Sequence, residues 1–514
     1  MHDNMRFPVG KKRSTTLLVA SAGCAITVLD TNVVGIVLPS IARDLDASFS
    51  QVQWFISAYV LLFAALLLPA GSIADRHGRK PVLLIGITWF LIASVACGLA
   101  STASALYLAR AAQGAGAAFL LAPALAIIGH AFHDEPARTR AWATWGGIMG
   151  LTMVASPLLG GVIGEQLGWR WAFLINIPIC VVLAAAVLIV VDDSRDPARE
   201  AIDAPGILLF TSAMFGVTWA LITGPIHGWG STPVLMAATA GVLLFAMFVL
   251  VEWRSRQPML DLSLFSAWPF LGAVLAMFAY AASAQVMAAL LPLYLQNGRG
   301  HDALAAGIGM LPFALAMLVF PRLGRRLAAG FGSARTLAFG LAVVALGNLV
   351  SAFAVRASGD LPLMLGMAVV GAGGGLLNGE TQKAILSNVA RNHMGMASGI
   401  STTSRFSGIL LGFAGLGAVL ASGTRSALER ATSIAGLQMD ADLAARIAAG
   451  NLSFEAWEHS RCVATELTAV ARESYRSGFS DVNLAAATIA FAAAISVLVM
   501  MRHLPRHDVH SYPR

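Results

Sequence analysis

Apolar residues run along this chain in blocks of about twenty, separated by short polar turns, a length that suits helices crossing a bilayer. Fourteen such blocks can be marked, at roughly 15–38, 51–73, 81–100, 104–128, 141–164, 170–191, 204–223, 233–252, 268–295, 303–323, 334–355, 361–382, 396–420 and 481–501. In lipid a segment must satisfy its own backbone groups, so each block is predicted as a helix, and the Gly and Pro inside several of them are tolerated where neighbours pack closely. The expected fold is therefore an all-α membrane protein with 14 transmembrane helices. One connection is long: 421–480 is Ala-rich and carries both signs of charge (Arg425, Glu429, Arg430, Asp440, Asp442, Arg446, Glu455, Glu458). Its spacing predicts a loop with one or two short amphipathic helices.

Composition strengthens this picture. Hydrophobic residues make up 57% of the 514 positions and charged residues only 12%, against about 25% in soluble domains. The net charge of +7 does not indicate a nucleic-acid binder, because the basic residues are scattered through short turns. They are also unevenly scattered. One set of loops holds Lys11, Lys12 and Arg13; Arg76, Arg79 and Lys80; Arg138 and Arg140; Arg322, Arg325, Arg326 and Arg335; and the tail with Arg502 and Arg506. The intervening short loops hold Arg43, Arg170, Arg299 and Arg356. This bias predicts a cytoplasmic N-terminus (1–14) and a cytoplasmic tail (502–514), with 421–480 outside. A cleaved signal peptide fits the basic N-terminus less well, since the apolar run is too long. Cys24, Cys97 and Cys180 lie within apolar runs and Cys462 stands alone in a polar stretch, so no disulfide framework is expected. No metal-ligand spacing and no phosphate loop occurs, and neither a metal, a cofactor nor an enzyme activity is expected.

Charges inside the blocks carry the chemistry. Asp30 sits in an apolar run, Thr15 to Pro39, with no other charge. A carboxylate there costs about 2.5–3.5 kcal/mol on insertion scales and marks a proton or cation site. Arg110, in the fourth block, lies at matching depth, roughly 10–12 Å below the same surface, so the two are placed to pair or to share a cavity. Gln113 is one turn away on the same helix face. The alternative for Arg110 is snorkelling to the interface. In the fifth block, small residues at Gly146 and Gly150 and at Gly160 and Gly164 permit close helix packing, and Pro157 bends the helix.

The turn after the second block reads Gly71-Ser-Ile-Ala-Asp75-Arg76-His77-Gly78-Arg79-Lys80. Gly78 supplies a tight turn, and Asp75 can accept hydrogen bonds from Arg or from a helix N-terminus, a charge-assisted latch. This G-x-x-x-D-R-x-G-R-K run resembles the signature of the major facilitator superfamily. The resemblance implies two pseudo-symmetric six-helix bundles that work by alternating access. The second half should carry a weaker copy, and around Arg325 to Arg335 the glycine and basic residues recur while Ala329 stands where the aspartate would be. Arg110-x-x-Gln113-Gly114 resembles the family's motif whose arginine is associated with proton coupling. Gly150 with Ser156-Pro157-Leu-Leu-Gly160-Gly161 resembles the antiporter signature G-P-x-x-G-G, departing from it at Ser156 and Thr152. With Leu29-Asp30-Thr31, Gly168-Trp169-Arg170-Trp171, Asn176-Ile-Pro178, Leu291-Pro292-Leu-Tyr294-Leu-Gln296 and Gly307-Ile-Gly309-Met-Leu311-Pro312, the chain is similar to the fourteen-helix drug:proton antiporters of the EmrB/QacA type.

That resemblance implies bundles at 15–191 and 268–501, a linking helix pair at 204–252, an inner-membrane location, and a periplasmic adaptor where the host is Gram-negative; a monomer is expected because such a fold is self-contained. It implies Asp30 and Arg110 as proton-coupling residues, Gly71, Asp75, Arg76, Gly78 and Arg79 as a conformational latch, and proton-driven export of hydrophobic, often cationic toxic compounds. Export of an endogenous metabolite, or import of a small solute through the same fold, remain open alternatives. Weaker candidates for the cavity lining are Gln113, Asn176, Gln285, Tyr294, Asn348 and Glu380. For Glu380 a simple pairing with Lys383 is the plainer reading, and Arg405 is close enough to the inner surface to snorkel.

Overall fold

The computed structural model describes residues 9–132, 134–195, 203–255, 262–357, 359–389, 394–435 and 461–501. Among them fourteen helices are long and apolar enough to cross a membrane, and no strand occurs. They are α1 Lys12–Asp44, α2 Phe49–His77, α3 Arg79–Gly98, α4 Ala103–Ala131, α5 Arg140–Leu167, α6 Trp171–Val190, α7 Ala204–His227, α8 Thr232–Arg254, α9 Trp268–Asn297, α10 Ala303–Phe331, α11 Ser333–Ala354, α12 Leu361–Ser387, α13 Ala397–Ala431 and α14 Ala469–Met501. The helix starts carry the expected stop-start chemistry. Ser48 and Gln51 form a reciprocal capping box on α2, and the side chains of Thr102, Asp203 and Asp302 cap α4, α7 and α10.

With an even number of crossings, α1 begins and α14 ends on one face, termed here the terminal face. Close contacts agree with this: Lys12 at the start of α1 pairs with Asp192 beyond α6 at 2.8 Å, and Met501 at the end of α14 packs on Gly272 near the start of α9.

The segment 421–480 differs from the expected loop. The helix containing α13 runs unbroken from Met394 to Ala435, and that containing α14 from Arg461 to Met501. Alanine favours continuation of both, and the end of α13 stays in contact with the start of α14, with Gly423 against Gly478 and with Leu428, Ala471, Tyr475 and Phe479 buried. The part of this segment at 436–460, the N-terminal residues 1–8 and the tail 502–514 lie outside the described residues.

Helices α1–α6 and α9–α14 meet along three lines, α1 with α9, α2 with α13, and α5 with α10. On the face opposite the termini the seam is closed. Gln296 Nε2 donates to the Ile36 carbonyl at 2.7 Å, Gln53 Nε2 donates to the Ala414 carbonyl, and Gly161 and Gly307 let α5 and α10 touch backbone to backbone. Toward the terminal face the seam parts on its α5–α10 line, while α2 and α13 stay in contact, with Leu68 against Gly399. On α5, Trp142, Ala143, Thr144, Gly146 and Gly147 are all exposed, which spans more than a full turn. Among the described residues, nothing lies within 4 Å of the space a side chain would fill at Gly146 or Gly147. The helix pair α7–α8 packs on α2 and α13, one helix from each group.

Candidate functional site: a buried ion pair between α1 and α4

The site depends on how closely α4 lies against α2. Gly114 meets the Tyr59 carbonyl directly, and any side chain at 114 would collide with that backbone. This approach places Arg110, one turn earlier, inside the bundle, where none of its surface is exposed. Its guanidinium lies over the Tyr59 ring at 4.2 Å, and its Nε donates to the Phe55 carbonyl at 3.0 Å.

Asp30 on α1 completes the pair. Arg110 Nη1 donates to Asp30 Oδ2 at 2.6 Å, and both side chains are almost wholly buried. Asp30 Oδ1 accepts from Gln113 Nε2 at 2.8 Å and from Asn176 Nδ2 at 2.9 Å. The amides are held in turn. Gln113 Nε2 also donates to Ser94 Oγ at 2.8 Å, Gln113 Oε1 accepts from Arg110 at 2.6 Å, and Asn176 Nδ2 reaches Ser94 Oγ at 3.3 Å. Four helices, α1, α3, α4 and α6, thus contribute to one network in which the carboxylate accepts three hydrogen bonds. That donor set matches an ionised carboxylate. Adding a proton to Asp30 would convert an acceptor into a donor facing donors, so the network has to rearrange when the proton arrives.

The structure brings together Asp30, Arg110, Gln113 and Asn176, and snorkelling of Arg110 is excluded by its burial. Ser94, the Phe55 carbonyl and the Tyr59 ring are participants that the sequence did not reveal. A serine, a carbonyl and an aromatic ring are too common in membrane helices to signal a site before the helices are packed.

The second cluster lies at the turn between α2 and α3. Arg79 bonds back to Asp75 at 2.8 Å, and Gly78 has φ +111°, a conformation that favours glycine. The end of α6 joins from across the bundle: Ser194 and Asp193 accept from the Arg79 and Lys80 backbone N–H groups at 3.0 and 3.4 Å, and Lys80 Nζ donates to the Leu188 carbonyl at 2.9 Å. Two expected members of the latch do not take part. Arg76 is exposed with no partner among the described residues, and a methyl group at Gly71 would touch only Ala122 at 3.9 Å, an ordinary contact. In the second half Gly332 repeats the positive φ at +83°, so Ala329 does occupy the place matching Asp75.

On α5, Gly160 lies against Val33 and Ile36 of α1, Gly161 against Ala303 and Leu304 of α10, and Gly150 against Leu318. Gly146, expected to pack closely, does not, because it stands at the open end of the seam. Ser156 is buried and donates to the Thr152 carbonyl at 2.6 Å, and the Pro157 carbonyl is the surface on which Gly307 rests.

Two of the weaker candidates are structural. Tyr294 is fully buried, stacked on Phe479 at 4.3 Å with its hydroxyl donating to the Val355 carbonyl at 3.3 Å. Asn348 makes an interhelical bond, its Nδ2 donating to the Ser283 carbonyl at 3.3 Å. Glu380, 2% exposed, lies 3.7 Å from the Lys383 ammonium. Gln285 is half-buried and accepts from Arg405 Nε at 2.9 Å.

The fold and this intramembrane ion pair define a polytopic membrane transporter. The sequence profile of the Major Facilitator Superfamily matches residues 20–413, and the chain belongs to that superfamily. It is 32% identical over 80% of its length to the multidrug resistance protein Stp of Mycobacterium tuberculosis (strain CDC 1551 / Oshkosh), covering 77% of that protein. It is 30% identical to the multidrug efflux pump LfrA of Mycolicibacterium smegmatis (strain ATCC 700084 / mc(2)155), across 96% of this chain and 98% of that one. Among solved structures, a bacterial homolog of the human lysosomal transporter Spinster, inward-facing and occupied, superposes with a TM-score of 0.66 at 17% identity, covering 96% of this chain and 97% of that one. That likeness extends to the fold.

Proposed function

We propose that this protein is a proton-coupled exporter of hydrophobic drugs or toxic compounds. The observation that carries this reading is the closed network around Asp30, in a chain whose superfamily relatives include a multidrug efflux pump similar over nearly its whole length. A buried carboxylate held by an arginine and two amides stays ionised while the network is closed, and can take up a proton only when a rearrangement moves those donors away. Export follows if each state favours one orientation of the bundles.

In this reading the terminal face is cytoplasmic, and residues 15–191 and 268–501 move as units around the pair at 204–252. The seam, open toward the terminal face, admits substrate from the cytoplasm or the inner leaflet. When the seam opens on the other side, Asp30 takes up a proton from outside, its bond to Arg110 weakens, and substrate leaves. Return to the present arrangement releases the proton inward and restores the ion pair. The Asp75–Arg79 pair and the Asp193–Ser194 contacts hold the turn at the cytoplasmic end of α2 and α3 in the present arrangement, and break when it moves.

The test is efflux from cells or proteoliposomes for a panel of lipophilic compounds, with and without a collapsed proton gradient. Gradient-dependent efflux of at least one compound, lost in Asp30→Asn, is the expected result. Efflux that persists after collapse of the gradient, or in Asp30→Asn, would remove proton coupling at this residue from the proposal.

A further inference from the structure

Arg405 is an intramembrane charge that the network above does not use. Its place on α13 is fixed by two neighbours: Ser404 Oγ donates to the Val274 carbonyl of α9, and Gly408 and Gly412 pack on Phe278 and Ala282 of α9. The two helices therefore run side by side in the same direction, and the Arg405 backbone is level with the residues just before Phe278. Its hydrogen-bond partner, Gln285, lies more than two turns further from the terminal face.

This geometry rules out snorkelling. Arg405 is about two turns inside the terminal-face end of α13, and side chains on a helix that starts at that face lean back toward it by default. The Arg405 side chain instead reaches the other way, into the depth of the membrane. The carboxamide that holds it is neutral and takes one of five donors, Nε–H. Among the described residues no carboxylate pairs with it and no acceptor meets its two Nη groups. Gln285 sits in a π-helical stretch of α9, Ala281–Gln285, and such a local widening often accompanies a functional site. The Tyr280 hydroxyl, five residues before Gln285 on the same helix, is buried without a hydrogen-bond partner among the described residues. Arg405 also adjoins the seam, since Phe406 next to it packs edge-on against Phe63 of α2 at 4.4 Å. Arg405 is half-buried, and the cost of a charge against lipid at this depth favours a polar cavity on its open side.

The charge balance of the bundle then reverses the expectation of a cationic substrate. Asp30 is cancelled by Arg110 and Glu380 lies beside Lys383, whereas Arg405 keeps a full positive charge and a planar pair of free donors. We propose that Arg405, positioned by Gln285, binds the carboxylate of the exported compound, so that the substrates are lipophilic organic acids. This rests on the export reading above and adds to it the chemical class of the substrate.

The experiment uses the purified full chain in lipid nanodiscs and three matched probes: 2-naphthylacetate, its methyl ester, and 2-naphthylmethylammonium. Intrinsic tryptophan fluorescence reads binding. The acid is expected to bind at least about tenfold more tightly than the ester, the scale of a charge-assisted hydrogen bond. Arg405→Gln should abolish that preference while ester binding stays within about twofold, and Arg405→Lys should keep part of it, having charge without the planar fork. The proposal is overturned if acid and ester bind equally, if the ammonium binds best, if the acid shows no saturable binding up to millimolar concentration, or if Arg405→Gln weakens acid and ester alike. Efflux of the same probes separates the two readings. An intact preference for the acid without gradient-driven efflux would sink export and leave the binding site standing. Efflux without any preference for the acid would do the opposite.

Discussion

A carboxylate that accepts three hydrogen bonds in a dry bundle is held in one protonation state until a neighbour moves. For Asp30 and Arg110 the cost of separation is set by burial. Removing one partner leaves the other charged and unsolvated, a loss of about 3–5 kcal/mol, while removing both is close to neutral. Arg110→Gln should therefore lower the thermal stability of the detergent-solubilised protein markedly, and the double variant Asp30→Asn with Arg110→Gln should recover most of it. Neither should regain transport. A double variant that remains as unstable as the single one would mean that the Phe55 carbonyl and Tyr59 ring, not Asp30, are what Arg110 serves. The latch at the α2–α3 turn is a smaller matter, since Asp75 is part-exposed and such pairs contribute about 1 kcal/mol or less. Asp75→Asn should change stability by no more than about 1 kcal/mol, leave substrate binding unchanged, and alter the turnover rate, measured as initial efflux velocity at saturating substrate. An unchanged velocity would remove the latch from the mechanism.

At the scale of helices, contact distance decides which small residues matter. Gly114 and Gly71 look alike in sequence, each a glycine beside a motif. The structure separates them: α2 leaves no room for a side chain at 114, whereas at 71 a methyl group meets an ordinary contact. Gly114→Ala should cost about 1–3 kcal/mol through overpacking and should displace Arg110, with loss of transport. Gly71→Ala should be silent within about 0.5 kcal/mol. Thermal unfolding of the two variants beside wild type checks both. Gly161 and Gly307 form the backbone contact between α5 and α10 on the face opposite the termini. Gly161→Leu should therefore prevent that seam from closing. Cysteines placed at Gln296 and Ile36, where a side chain meets a backbone carbonyl across the closed seam, should be bridged by a short bifunctional thiol reagent in the parent background and poorly with Gly161→Leu. Equal cross-linking in both would show that α5 does not set the closed face.

Across the whole molecule, one asymmetry governs the expected behaviour. The seam between α1–α6 and α9–α14 is closed on one face and, on the other, parted between α5 and α10, and the two ends of the bundle are not chemically equivalent. The first half has Asp75 at its charged turn; the second half has the same glycine turn at Gly332 but Ala329 in the aspartate's place. Rearrangement should then be limited by the first half. Ala329→Asp, which places a carboxylate one turn from Arg325 and three residues from Arg326, should stabilise the open-to-terminal-face arrangement. Its mark would be slower efflux together with greater accessibility of a cysteine at Gly146 to a membrane-impermeant reagent applied on the terminal face. No change in either measure would show that the missing aspartate is of no consequence.

The amino-acid sequence by itself determined the fourteen crossings, because a run of about twenty apolar residues has one stable form in lipid, the helix. It also exposed Asp30 and Arg110, since a charge in such a run is expensive enough to stand out, and their matching depth followed from a fixed rise per residue. It could not tell which half-polar residues face each other. Tyr294 and Asn348 read like cavity residues but are absorbed into helix contacts, while Ser94 and Asp193 carry no local signal and acquire a role through helices distant in the chain. The direction of the Arg405 side chain was likewise beyond the sequence. Depth along α13 favours the nearer face, and the packing of α9 alongside it, with Gln285 two turns deeper, turns the charge inward. Periodicity and burial cost act along the chain and can be read there, whereas rotation, close approach and partner choice depend on which helices lie side by side.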